Sequence, residues 1–175
     1  MADDDMLILV DEADRQIGIG SKMDVHREGA LHRAFSVFLA DDEGNILLQR
    51  RALEKYHSGG LWANACCGHP RPGEATPAAA ERRLMEELGL PGPLSFGFTA
   101  RYSQSVGPGM RENELVHVFF GRVTGTPRPD PREVMEIALL PFDALMRMAK
   151  DRPDTLAVWL KHYLDQHGDV IERAF

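Results

Sequence analysis

Three imidazoles and two carboxylates are of the types that bind a metal, although a single histidine is more often structural or exposed. His26 and His32 lie in "HREGALH", His69 closes "WANACCGH", and Glu112 and Glu114 lie in "RENELVHVFF". Side chains alternate along a strand, so Glu112 and Glu114 project to one face, about 6.5–7 Å apart. Val116, Val118 and Phe120 continue that face. Buried unpaired, the two carboxylates would repel. A bound cation resolves the conflict, and so does solvation at a strand end. Imidazoles with carboxylates form a nitrogen–oxygen donor set suited to Zn2+ or Mn2+. The sequence has no CxxC or HExxH pattern, so it does not point to a structural zinc knuckle.

Cys66 and Cys67 are the chain's two cysteines. Neighbouring Cα atoms sit about 3.8 Å apart, short of normal disulfide geometry. Two adjacent cysteines also cannot make a disulfide framework. Both thiols are expected to be reduced, in a cytoplasmic protein. Lys22, Arg50, Arg51 and Lys55 supply either an anion pocket or a solvated edge-strand cluster. Further on, "GHPRPGEATPAAAERRLMEELGL" carries Glu74 in a loop and Arg82, Arg83, Glu86 and Glu87 on a helix. Acidic groups late on a helix oppose its dipole, which points to a ligand role for one of them. The alternative is a solvated face with an Arg83–Glu87 pair.

Holding these groups together requires a domain of ordinary size, and 175 residues predict one domain over 1–175 with a sizeable core. Hydrophobic residues make up 43% and charged residues 27%, as in a globular protein. The net charge of −7 argues against a nucleic-acid partner but leaves room for a local basic pocket. No apolar run approaches the roughly 20 residues of a membrane span, so no membrane partner is expected. "MADDDM" lacks the basic and apolar regions of a secretory leader.

The predicted elements alternate between strands and a few helices. Residues 7–10 and 16–20 read as short paired strands. Residues 31–40 and 45–52 flank "DDEG" as a hairpin. Residues 61–65 are a short extended piece leading to the cysteines. Thr76 as N-cap, Pro77 in the first turn and Gly89 at the C-terminal left-handed position predict a helix, with Ala80, Leu84 and Leu88 in one stripe. Residues 94–103, 113–123 and 134–140 read as strands. Residues 142–150 and 154–168 read as helices split by Pro153. The pattern predicts an α+β or mixed-sheet sandwich.

"GHPRPGE…AAERRLMEELG" resembles the Nudix box, Gx5Ex7REUxEExGU with U aliphatic, and departs from it at Arg83, where the hydrolases carry glutamate. A wider set of segments resembles the type I isopentenyl-diphosphate isomerases of that superfamily. "WANACCGHP" is similar to their W-x-N-x-x-C-G-H-P, "RENE" to their E-N-E, and "ERRLMEELG" to their R-R-x-x-x-E-L-G. "HREGALHRAFS" is similar to their paired-histidine segment, and "LLQRRALEK" to their R-R-A-x-x-K. These matches run in order from about Lys22 to Trp159.

The resemblance implies an α/β/α sandwich with a mixed sheet, and isomerisation of isopentenyl diphosphate to dimethylallyl diphosphate by antarafacial proton transfer. By position it implies Cys67 as the catalytic thiol and Glu114 as the catalytic carboxylate, with Tyr102 and Trp159 near the reacting carbons. It implies His26, His32, His69, Glu112 and Glu114 as ligands of one protein-bound divalent metal, Mn2+ or Zn2+. It further implies Glu87 beside a Mg2+ that arrives with the diphosphate, and Lys22, Arg51 and Lys55 as diphosphate contacts. Cys66 falls where the motif is not restricted to cysteine. A metal-dependent hydrolase of diphosphates is the alternative that Arg83 argues against, and a non-catalytic metal- or phosphate-binding module is a third reading.

Overall fold

The computed structural model describes residues 6–55 and 57–175, and its organising element is a strand buried on both faces. This strand, β3 (His32–Ala40), alternates Ala34, Phe38 and Ala40 on one face with Phe35, Val37 and Leu39 on the other, none more than 2% exposed. Such a strand needs a layer on each side. On one face, α3 (Phe142–Asp151) and α4 (Val158–Arg173) bring Leu145, Leu160, Tyr163, Leu164 and Ile171. On the other, α2 (Thr76–Leu88) brings Ala79, Ala80, Leu84 and Leu88. The α/β/α sandwich with a mixed sheet is therefore what forms.

The remaining strands are β1 (Met6–Val10), β2 (Gln16–Ser21), β4 (Ile46–Arg51), β5 (Trp62–Asn64), β6 (Cys66–Gly68), β7 (Ser95–Gly107), β8 (Met110–Arg122) and β9 (Val134–Leu140). β3 runs parallel to β8 in a register that places His32 beside Glu114. β7 lies antiparallel on the far side of β8 and places Tyr102 beside Glu114. The hairpin partners β3 and β4 pair at Ala40 and Ile46 and then diverge. The gap is filled by two short strands, β5 on β4 and β6 on β3. Asn64 ties this fork, its Nδ2 donating to the carbonyls of Val37 (2.9 Å) and Cys66 (3.2 Å).

Several elements differ from the sequence reading. Lys22–Glu28 forms a short helix, α1, bounded by Ser21, whose Oγ accepts from the Asp24 N–H at 3.2 Å, and by Gly29 at φ 64°. The cysteines, which the sequence reading left without an element, form β6 with Gly68. β7 and β8 extend to a turn at 107–110, so Glu112 lies inside a paired ladder. Thr76 is not the cap of α2, because the first helical bond runs from the Ala79 N–H to the Ala75 carbonyl (3.0 Å). Gly168 lies within α4, which continues to Arg173 because Ile171 anchors its last turn in the core. Among the described residues no helix is long and apolar enough to cross a membrane.

Candidate active site and metal centre

Where β3, β6, β8 and α4 face one another, a cavity of about 300 Å³ opens, lined by Cys67, Glu112, Glu114, Tyr102, Trp159, His69 and Glu87, with Lys22, Arg51 and Lys55 at its polar side. The metal-ligand candidates come from four elements. α1 carries His26, β3 begins with His32, His69 follows β6, and β8 presents both glutamates. One ligand atom each from His26, His32, His69 and Glu112 falls within 4.8 Å of the others. Glu114 joins at the edge of this set, its Oε1 2.9 Å from His69 Nε2 and 3.7 Å from His32 Nε2.

The hydrogen-bond partners of the histidines suit this cluster to a cation. His26 Nδ1 lies 2.5 Å from the Lys22 carbonyl, and His32 Nδ1 lies 2.9 Å from the Ala30 carbonyl. A carbonyl only accepts, so each Nδ1 donates and each Nε2 lone pair turns inward. There it meets carboxylate oxygens: Glu112 Oε2 is 3.0 Å from His26 Nε2 and 3.6 Å from His32 Nε2. His32 Nε2 is fully buried without a hydrogen bond. Acceptors converging on acceptors demand positive charge at the centre, and a divalent cation fits the donor set. The same demand is visible in proton affinities. Burial alone would lower the pKa of His32, but Glu112 and Glu114 outweigh it and lift it to about 10. Burial would raise Glu112, yet His26, His32 and His57 hold it far below the usual range. Glu114 is likewise pushed up by burial and by Glu112, and pulled lower overall by His32 and His69.

The two cysteines point opposite ways. β6 pairs with β3 so that Ser36 faces Cys67 and Val37 faces Cys66. Cys66 is buried in the α2-side core with Ala79, Ala80 and Leu84. Cys67 lines the cavity, with Sγ 3.3 Å from Asn64 Oδ1 and 3.2 Å from Ser36 Oγ, which in turn lies 3.0 Å from the Tyr163 hydroxyl. Burial raises the Cys67 pKa to about 12 against these two hydrogen bonds, so the resting thiol carries its proton. Tyr102, beside Glu114 in the ladder, is also kept protonated by burial.

Trp159 forms the wall opposite, 5% exposed, with the Arg51 guanidinium 5.1 Å from its ring centroid. Arg51 Nε is buried without a partner. Lys22 has its pKa lowered by burial and by the charge of Lys55, with Arg51 and Arg83 adding to the crowding of cations. A polyanion would relieve both conditions. Glu87 lies apart from the histidine cluster, where Arg83 Nη2 (2.6 Å) and Gln49 Nε2 (2.8 Å) donate to it. The Arg83–Glu87 pair foreseen as the alternative is therefore formed, at a buried carboxylate rather than on a solvated face.

Four cavity residues escaped the sequence reading. Ser36 and Tyr163 hold the thiol. Glu133 receives a hydrogen bond from Lys55 and sits 3.4 Å from Arg83. His57 Nε2 lies 3.0 Å from Glu112 Oε1. Of these, Ser36 alone left a local signal, a hydroxyl on the apolar stripe Ala34, Phe38, Ala40.

Comparison with known proteins gives the family and the fold. Residues 30–163 match the NUDIX domain family. The chain is 46% identical to the isopentenyl-diphosphate Delta-isomerase of Burkholderia multivorans over 94% of each chain. It is 45% identical to isopentenyl-diphosphate Delta-isomerase 2 of Aromatoleum aromaticum, over 93% of this chain and 86% of that one. For the isopentenyl-diphosphate Delta-isomerase of Streptomyces griseus the identity is 48%, over 91% and 82%. Among solved structures, a Deinococcus radiodurans protein shares the fold with a TM-score of 0.74 at 19% identity, over 97% of this chain and 99% of that one. A MutT protein of Methanosarcina mazei does so at 0.64 and 18%, over 82% and 91%.

Proposed function

The chain belongs to the Nudix family and, within it, to the isopentenyl-diphosphate Delta-isomerases, and from that premise we propose how its own residues carry the reaction. It converts isopentenyl diphosphate to dimethylallyl diphosphate, which requires one proton to be added to the terminal alkene carbon and another removed from the allylic carbon. The intermediate is a tertiary carbocation that water would trap. The observation that carries the assignment is the single cavity in which a protonated thiol, Cys67, and a carboxylate, Glu114, are offered by different strands. One delivers a proton and the other removes one, across the plane of the alkene.

Trp159 presents its ring to the cation, a contact worth about 2 kcal/mol when desolvated. Tyr102 stands beside Glu114 and tunes its proton affinity. Lys22, Arg51 and Lys55 bind the diphosphate, so that binding energy remote from the carbons holds the small alkene in register. His26, His32, His69, Glu112 and Glu114 would hold a divalent metal, Zn2+ or Mn2+ by donor type, which would supply positive charge to the site. Glu87 serves a Mg2+ accompanying the diphosphate. The chain works as one domain, in the cytoplasm, on a small-molecule substrate.

The test is incubation with isopentenyl diphosphate and Mg2+ in D2O. Dimethylallyl diphosphate should form with deuterium at carbon, and phosphorus spectra should show no free phosphate growing with conversion. Phosphate release without carbon-bound deuterium would replace isomerisation by hydrolysis. Neither signal, from folded metal-loaded protein, would leave a binding module.

A further inference from the structure

His57 stands at a junction of three parts of this site. Its ring meets Glu112, its ring edge meets Trp159, and its backbone carbonyl accepts a hydrogen bond from Arg51. We propose that His57 is a positioning residue of the metal centre, holding Glu112 by the oxygen turned away from the histidine cluster and bracing Trp159 against the same carboxylate.

The two oxygens of Glu112 have different neighbours. Oε2 faces the cluster, 3.0 Å from His26 Nε2 and 3.6 Å from His32 Nε2. Oε1 lies 3.0 Å from His57 Nε2. His57 Nδ1 lies 3.1 Å from Ser58 Oγ, whose hydroxyl can donate to it and leave the ring proton on Nε2, aimed at Glu112. The imidazole therefore donates to one carboxylate oxygen while the other turns toward the ion. His57 meets the Glu112 oxygen opposite to the one that faces His26 and His32, which places its ring behind this carboxylate rather than among the histidines around it. Anchoring one carboxylate oxygen restrains the rotation by which Glu112 would chelate or release an ion, and groups in this outer position typically contribute about 10- to 100-fold in metal affinity.

The second contact ties the metal side to the hydrocarbon side. The His57 and Trp159 rings cross at 83° with centroids 5.8 Å apart, and Arg51 covers Trp159 as well. Next to His57, Ser58 adopts φ 53°, a conformation uncommon outside glycine. Arg51 binds the backbone of His57, so a side-chain substitution leaves that contact in place.

The inference rests on reading the His/Glu cluster as a metal centre, and the experiment separates the two. Zn2+ binding to chelator-stripped protein is measured by competition, without substrate, for the parent and three variants. His57→Phe keeps a ring against Trp159 but removes the donor, His57→Ala removes both, and His57→Gln returns an N–H donor. His57→Phe and His57→Ala should lose about 10- to 100-fold in affinity, and His57→Gln should recover to within about threefold of the parent. In turnover, the loss should fall on kcat with KM for isopentenyl diphosphate little changed, because the cationic side is untouched. Should His57→Phe fail to fold, His57→Ala against His57→Gln carries the comparison. Equal affinity in all four proteins overturns the proposal, and so does a His57→Gln variant as weak as His57→Phe. A parent that binds neither Zn2+ nor Mn2+ removes the metal centre itself.

Discussion

Replacing Ser36 by alanine tests whether the thiol is held by a chain of hydroxyls. Ser36 Oγ lies 3.2 Å from Cys67 Sγ and 3.0 Å from the Tyr163 hydroxyl, and both Ser36 and Tyr163 are 1% exposed. In Ser36→Ala the phenol loses this partner in a buried setting, which costs about 2 kcal/mol. Tyr163→Phe removes one hydroxyl but leaves Ser36 against Cys67, so its cost is about 1 kcal/mol. With both hydroxyls gone neither is stranded, and the double variant should lose about 2 kcal/mol rather than the sum. At about 2–4 °C per kcal/mol for a chain of this size, Ser36→Ala should melt about 4–8 °C lower. Urea unfolding of the metal-saturated proteins, at constant m, reads the cycle. Activity should fall in Ser36→Ala through kcat, because Asn64 alone then orients the thiol. Losses that add to within about 0.3 kcal/mol would refute the shared bond, and with it the hydroxyl chain.

Cys67→Ala should abolish nearly all turnover with fold and metal intact, whereas Cys66→Ala should keep activity and lose a little stability from core packing; equal losses would break the assignment of faces. The Cys67 thiol is raised to about 12, so the folded protein keeps a proton that the unfolded chain releases near pH 9. That contribution to stability is intact below pH 9 and lost as pH rises through 12, and thiolate absorbance of the folded Cys66→Ala protein should be absent at pH 9; a midpoint near the ordinary thiol value would contradict the burial argument. Arg83→Ala should destabilise by about 3 kcal/mol, because it leaves Glu87 buried with Gln49 as its remaining neutral donor. An unchanged denaturation midpoint would mean that Glu87 is neutral in the parent.

What could be read in the sequence was whatever is periodic or local. The strand at 31–40, the stripe Ala80, Leu84, Leu88 on α2 and the "DDEG" turn each follow from local pattern alone. The metal ligands were legible as types, and the shared face of Glu112 and Glu114 as a spacing. Their convergence was not, because it depends on β3 pairing with β8, a register that no short stretch encodes. His57 and Glu133 were missed for the same reason: each is an ordinary polar residue beside a turn, and acquires a role only from a partner far along the chain. The helix α1 was a different failure. Ser21, Asp24 and Gly29 are legible caps, but seven residues give too few turns for an apolar stripe. The two cysteines show both limits at once. Their adjacency guarantees opposite faces in a strand, yet only the pairing of β6 with β3 decides which face is the cavity.

The parallel pairing of β3 with β8 also sets a schedule for biosynthesis. A chain leaving the ribosome presents His26, His32 and His69 first, then Glu112 and Glu114, and only afterwards Trp159 and Tyr163. β3 must wait for β8 before its edge is covered, a delay inherent in non-local pairing. The helix that carries the aromatic wall is translated last. A product terminated before Val158 would lack both the aromatic wall of the cavity and the core side chains Leu160, Leu164 and Ile171 that cover one face of the sheet.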